Sequence, residues 1–316
     1  MPESGRASAV KRICFTLWIG LFAAGLLLCT RTVAASVTES LTFCMQMLLP
    51  ALFPFFVLSG WLAGSGSCDL LCRPCGRIME RLFGLPGSCA PVLLLGLVGG
   101  YPVGANAAVE LYRNGRCSRE EALALLRFCN NAGPAFLIGA LGNGMLHSSR
   151  LGGLLYLAQV LSALSIGVLF RRNTGGVKRT ASCAKAPASL SLSGLLQTVR
   201  RAFDTFQNVC AFVLFFAVVR SLLTVLPGVN RGSLPFALLS GLLELTGGLS
   251  ALTALPLANT LLLPCCAFLA AFGGLSVSLQ TISLLLDAKL PYRDYLGAKL
   301  LQGLLAGTFT FLLMQL

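Results

Sequence analysis

Apolar residues run in blocks of about twenty along most of the chain, without the strict alternation that a half-buried strand needs. The blocks cover 13–29, 41–62, 151–170, 209–226 and 296–316. At 1.5 Å rise per residue these lengths suit helices crossing a hydrocarbon layer of ~30 Å. Other apolar segments are not ended by charged loops but are interrupted from within by Gly and Pro. The pattern predicts an all-α polytopic membrane protein whose helices are broken at a few internal points.

The breaks recur in the same order in two halves. Residues 51–62 match 211–222 at an offset of 160, sharing Ala51/Ala211, Phe55/Phe215, Phe56/Phe216 and Leu62/Leu222. Gly99-Gly100 pairs with Gly247-Gly248 at an offset of 148, and Phe128, Gly133 and Pro134 pair with Phe268, Gly273 and Gly274 at an offset of 140. Internal repeats of this kind underlie many transporter folds. The chain is therefore divided into an extra first transmembrane helix (1–36), a first repeat (37–170), a basic cytoplasmic linker (171–204) and a second repeat (205–316).

Composition strengthens the membrane reading. Of 316 residues 56% are hydrophobic and 11% charged, with mean hydropathy +0.81, against about 25% charged in soluble domains. The net charge of +13 does not imply a nucleic-acid partner, because the basic residues lie in short loops beside the spans rather than on one folded face. Such an excess marks the cytoplasmic side. With a cytoplasmic N-terminus and re-entrant Gly-Gly segments, 19 of the 24 Lys and Arg fall inside, counting Lys299 at the end of its span. Arg31, Arg150, Arg220 and Arg231 fall outside, and Arg127 lies within a segment. Each half then crosses three times, so the repeats are inverted. The expected architecture is about seven full crossings plus two hairpins, in a multi-pass protein of the cell membrane. Lys11 and Arg12 ahead of the first apolar run, with Ala34 and Ala35 after it, outline a signal peptide, but the run is long for one and an uncleaved first span is expected.

Most of the 13 cysteines lie in apolar runs, where thiols act as small hydrophobes. Cys68, Cys72 and Cys75 include a CxxC pair without a second pair or a histidine nearby, so no metal and no cofactor is expected. His147, the one histidine, sits beside Ser148 and Ser149 near an outer loop and reads as a surface residue. There is no GxxxxGK[ST] loop, HExxH helix or GxSxG elbow, so no catalytic residues are assigned and the chain is not read as an enzyme.

Candidate binding chemistry collects at the four breaks. The first holds Gly99, Gly100, Tyr101, Pro102, Gly104 and Asn106. Glycine and proline remove helical hydrogen bonds there, and backbone freed this way survives in a membrane only inside protein or beside a watery cavity. The second holds Asn130, Asn131, Gly133 and Pro134, whose amides suit a polar ligand or tie two helices together. The third holds Glu244, Thr246, Gly247 and Gly248. An intramembrane carboxylate is costly and marks a site or a proton or cation relay, unless Glu244 pairs structurally with Arg127. The fourth holds Gly273, Gly274, Ser276 and Gln280.

The stretch Gly99-Gly100-Tyr101-Pro102-Val103-Gly104-Ala105, then Leu111-Tyr112-Arg113-Asn114-Gly115, then Phe128-Cys129-Asn130-Asn131-Ala132-Gly133-Pro134 resembles the YlbJ family of sporulation integral membrane proteins of spore-forming Firmicutes. The segments around Glu244 and Gly273 fit the same family. More distantly, the pattern resembles the nucleoside-recognition or Gate domains of concentrative nucleoside transporters. The resemblance implies a role in endospore formation and leaves the ligand open. The expected function is a transporter-like protein that binds or moves a small polar solute where the broken segments meet. The alternative is a non-transporting membrane scaffold for assembling the spore envelope (cortex or coat). Expected partners are the lipid bilayer, the solute, H+ or Na+ as a coupling ion and a second copy of the chain, with no nucleic acid.

Overall fold

A computed structural model describes residues 3–64, 75–171, 192–225 and 228–316. Within these, the secondary structure is helical throughout. The chain opens with α1 (Glu3–Leu28), α2 (Thr30–Phe43) and α3 (Leu49–Gly64), the last two joined by a wide helical turn over Cys44–Leu48. Then come α4 (Gly76–Phe83) and α5 (Gly87–Val98), bent 104° to each other, followed by α6 (Val103–Arg113), α7 (Arg119–Cys129), α8 (Ala135–Met145) and α9 (Ser149–Leu169). The second half consists of α10 (Leu192–Leu223), α11 (Leu234–Leu243), α12 (Leu245–Thr253), α13 (Asn259–Phe272), α14 (Gly274–Asp287) and α15 (Arg293–Leu313).

The halves show one succession twice. A long helix (α2–α3, or α10) leads to a hairpin (α5–α6, or α11–α12), then a broken helix (α7–α8, or α13–α14), then a closing helix (α9, or α15). In both hairpins the arms pack on each other, so the Gly-Gly segments fold back. Glycine makes this possible. A Cβ on Gly104 would stand 2.9 Å from the Gly96 Cα, and one on Gly248 would run into the main chain of Gly241.

Five helices are long and apolar enough to cross a membrane: Thr30–Trp61, Ser149–Leu169, Ser193–Leu223, Asn259–Asp287 and Arg293–Leu313, or six if the bent α4–α5 pair is one span. This count differs from seven for two reasons of length and charge. The apolar part of α1, Arg12–Leu28, falls among the shorter helices. In the α7–α8 pair, Arg119, Glu120, Glu121 and Arg127 interrupt the apolar run. Helix α10 begins at Leu192, inside the stretch read as a linker, of which residues 172–191 lie outside the described residues.

Large apolar side chains face outward, while a set of polar side chains is buried within an otherwise apolar interior. Leu17, Leu21, Leu27 and Leu28 are 67–85% exposed, whereas Asn130, Asn131, Gln159, Lys299 and Gln302 are at most 1% exposed. Water would reverse that distribution, while lipid favours it. Two cores fill the space between, one around α5–α7 with Leu285 and Tyr295, the other around α8, α10 and α11–α13.

Candidate functional site

The break residues account for the local backbone. Gly100 takes φ +75° at the tip of α5–α6, and Gly273 and Gly274 take +85° and +69° between α13 and α14, a region that L side chains rarely enter. At the third break the interruption falls on Glu244, whose backbone is extended. Its carboxylate caps α12: the Thr246 N–H and hydroxyl donate to Oε1 at 2.7 and 2.6 Å, and the Gly247 N–H donates to Oε2 at 2.6 Å. The side chain thus satisfies amides orphaned at the helix start.

The breaks meet in pairs. A Cβ on Gly133 would lie 3.0 Å from the Gly100 nitrogen, and one on Gly274 would lie 2.8 Å from the Gly241 carbonyl, so α5–α6 touches α7–α8 and α11–α12 touches α14. Between the pairs lies a cavity of about 30 Å³, room for a water or two. All four breaks line it: Gly99, Gly100 and Tyr101, then Gly133, then Glu244 and Thr246, then Ser276 and Gln280. Leu48, Leu52, Val209 and Val213 supply an apolar wall, which periodicity alone could not distinguish from ordinary packing. The Tyr101 hydroxyl and Gln280 Oε1 are buried here without a hydrogen-bond partner among the described residues.

The other ten candidate residues lie elsewhere. Pro102 and Pro134 precede α6 and α8. Gly104, Gly248, Gly273 and Gly274 serve the turns and close approaches already described. Asn106 faces a separate cleft with Ser59, Glu110 and Arg201, and Gly247 lines a third on the far side of α12.

Asn130 and Asn131 belong to a buried network that ties helices together. Asn130 Nδ2 donates to Thr281 Oγ1 and Tyr295 Oη, both at 3.0 Å. Asn131 Oδ1 accepts from Gln159 Nε2 at 3.1 Å and Gln302 Nε2 at 2.7 Å, and its Nδ2 donates to the Phe128 carbonyl at 2.7 Å. Lys299 Nζ donates to the Asn130 carbonyl and to Gln302 Oε1, both at 2.8 Å. Lys299 is 1% exposed, so it is an interior residue and not the span-end charge the sequence count took it for. Tyr295, Lys299 and Gln302 follow an i, i+4, i+7 spacing on one face of α15, and that polar stripe in an apolar helix was the available signal.

Arg127 does not meet Glu244. It pairs with Asp294 at 2.8 Å and lies 5.1 Å from the Phe170 ring centre. His147 is exposed. Cys75 is exposed, Cys68 and Cys72 lie outside the described residues, and no group of three or more metal-ligating side chains occurs among the described residues.

This arrangement defines a polytopic helical membrane protein in which two hairpins and two broken helices converge on a small interior cavity, a transporter-like architecture. In fold the chain is similar to a double variant of CNTnw captured in an outward-facing state, with a TM-score of 0.51 at 15% identity over 100% of this chain and 88% of that one. At that identity the likeness concerns the fold alone. In sequence the chain is similar to the sporulation integral membrane protein YlbJ of Bacillus subtilis (strain 168), 28% identical over 302 residues, 85% of this chain and 74% of that protein. The comparison supports the YlbJ family that the motifs around Gly99 and Asn130 resemble. No protein-family model matches the chain.

Proposed function

We propose that this protein binds or moves a small polar solute at the cavity between its four broken segments, as a non-enzymatic, transporter-like membrane protein of endospore formation. The observation that carries the reading is the pair of unpartnered polar atoms, Tyr101 Oη and Gln280 Oε1, at a cavity lined by all four breaks. A buried polar atom without a partner costs about 1–3 kcal/mol, a cost that a polar ligand would remove. At about 30 Å³ the cavity holds no solute larger than water, so loading requires the hairpin tips to part. Any H+ or Na+ coupling through Glu244 requires its carboxylate to leave the α12 cap.

Tyr101→Phe and Gln280→Leu remove the two unpartnered atoms and leave the packing volume nearly unchanged, so both variants should reach the membrane at wild-type levels. The expected outcome is loss of spore formation and an altered solute pool in spores. Normal sporulation and unchanged metabolite profiles in the double variant would sink the reading. Deleting residues 172–191 tests the scaffold alternative, which demands that this stretch matter more than the cavity.

A further inference from the structure

The positive-inside rule disfavours arginine on the less basic face, yet Arg31, Arg220 and Arg231, three of the four arginines the charge count leaves there, converge on one cleft. Arg31 lies in the first turn of α2, Arg220 in the last turn of α10, and Arg231 in the loop before α11. The cleft has a volume of about 660 Å³, within the ~300–1,000 Å³ of small-molecule sites. Glu39 is the one acid lining it. None of the three arginines forms an ion pair with a described residue.

Topology does not account for this gathering of like charge. Three cations around one concavity repel one another, and Glu39 in the cleft together with Glu244, whose carboxylate lies beside Arg220 at Gly247, leaves one of the three charges unbalanced. Arg220 is also held in place: its guanidinium lies against Gly247, where an added Cβ would stand 2.7 Å from Arg220 Cζ. Glycine at 247 thus leaves room for the guanidinium against the first turn of α12, where Glu244 Oε2 would also stand 3.0 Å from the added Cβ. A guanidinium presents five N–H donors in a planar fork that matches carboxylate and phosphate oxygens in pairs.

We propose that this cleft is a binding site for an anionic group, a phosphate or a carboxylate, held by Arg31, Arg220 and Arg231. It is distinct from the interior cavity and does not require that anything be moved. The same chemistry belongs to a free small anion and to the headgroup of an anionic lipid, and the test separates them.

Purified full-length protein, in neutral detergent and in phosphatidylcholine nanodiscs, is titrated calorimetrically with inorganic phosphate and with succinate at constant ionic strength. Native mass spectrometry scores retention of phosphatidylglycerol. Wild type should bind one of these probes, and Arg220→Gln/Arg231→Gln should weaken it about tenfold or more, as expected when charge-assisted hydrogen bonds are lost. Arg231→Gln alone, at an exposed loop residue whose loss disturbs no packing, should show a smaller drop and keeps the test valid if the double variant misfolds. Arg150→Gln, the same charge change outside the cleft, should bind as wild type does. Binding of phosphate or succinate identifies a free solute, and retention of phosphatidylglycerol alone identifies a headgroup. If wild type binds none of the three, or if Arg231→Gln and the double variant bind as tightly as wild type, the proposal fails.

Discussion

At the residue scale, Asn131 engages three partners at once. Its amide oxygen accepts from Gln159 on α9 and Gln302 on α15, and its nitrogen donates to the Phe128 carbonyl. Interhelical hydrogen bonds inside membranes average ~0.6 kcal/mol, but removing one partner strands the others at about 1–3 kcal/mol each. Asn131→Leu is therefore expected to destabilise the protein by about 2–3 kcal/mol, measured by unfolding in mixed micelles, while Asn143→Ala at an exposed position stays within about 0.5 kcal/mol. Equal stability of the two variants would contradict the network. Lys299 extends the same logic. Its Nζ donates to two neutral oxygens, Asn130 O and Gln302 Oε1, so it ties α15 to the C-terminal end of α7 and satisfies a carbonyl that the helix end leaves without an intrahelical partner.

At the element scale, the two hairpins depend on glycine where their arms touch. Gly248 has no room for a methyl group against Gly241, so Gly248→Ala must push the arms of α11–α12 apart. Overpacking of this kind costs about 1–3 kcal/mol, and the tip residues Glu244 and Thr246 would move with it. Gly297 in α15 has nothing within 4 Å of an added Cβ, so Gly297→Ala should be neutral or stabilising by up to about 1 kcal/mol. Thermal unfolding of the two variants checks both signs, and a neutral Gly248→Ala would mean that the arms do not touch as described. The Glu244 cap belongs to this scale as well, because it determines where α11 ends and α12 begins.

At the scale of the whole molecule, an inverted arrangement of the two halves, with the basic residues biased to one side, predicts opposite sides for the α6–α7 loop and the loop before α11. An epitope inserted after Asn114 should resist external protease in intact cells, and one inserted after Asn230 should be cleaved. Both tags on one side would overturn the inverted arrangement. Lys299 leaves the loop tally because it is buried, but the sequence still counts Arg113, Arg116, Arg119 and the basic residues of 171–201 toward the inner side that this arrangement predicts.

Apolar block length and glycine spacing are sufficient to reveal the helical membrane class and the positions of the four breaks, because each follows from local chemistry: span length, missing side chains and missing amide hydrogens. The resemblance to the YlbJ family rests instead on the motifs at Gly99–Ala105 and around Asn130, and the sequence comparison supports it. Side-chain partnerships were not legible. A pair between Arg127 and Glu244 is the alternative the sequence leaves to a site role for Glu244, yet Asp294, 167 residues away, takes the arginine. The asparagines looked like cavity residues, yet Gln159, Lys299 and Gln302 claim them. Only the tertiary structure decided which polar groups face the cavity, which tie helices and which arginines share a cleft. Burial makes an unpartnered polar group costly, and the fold brings together from distant parts of the chain the partners that satisfy Asn131 and Arg127 while leaving Tyr101 Oη and Gln280 Oε1 without one among the described residues.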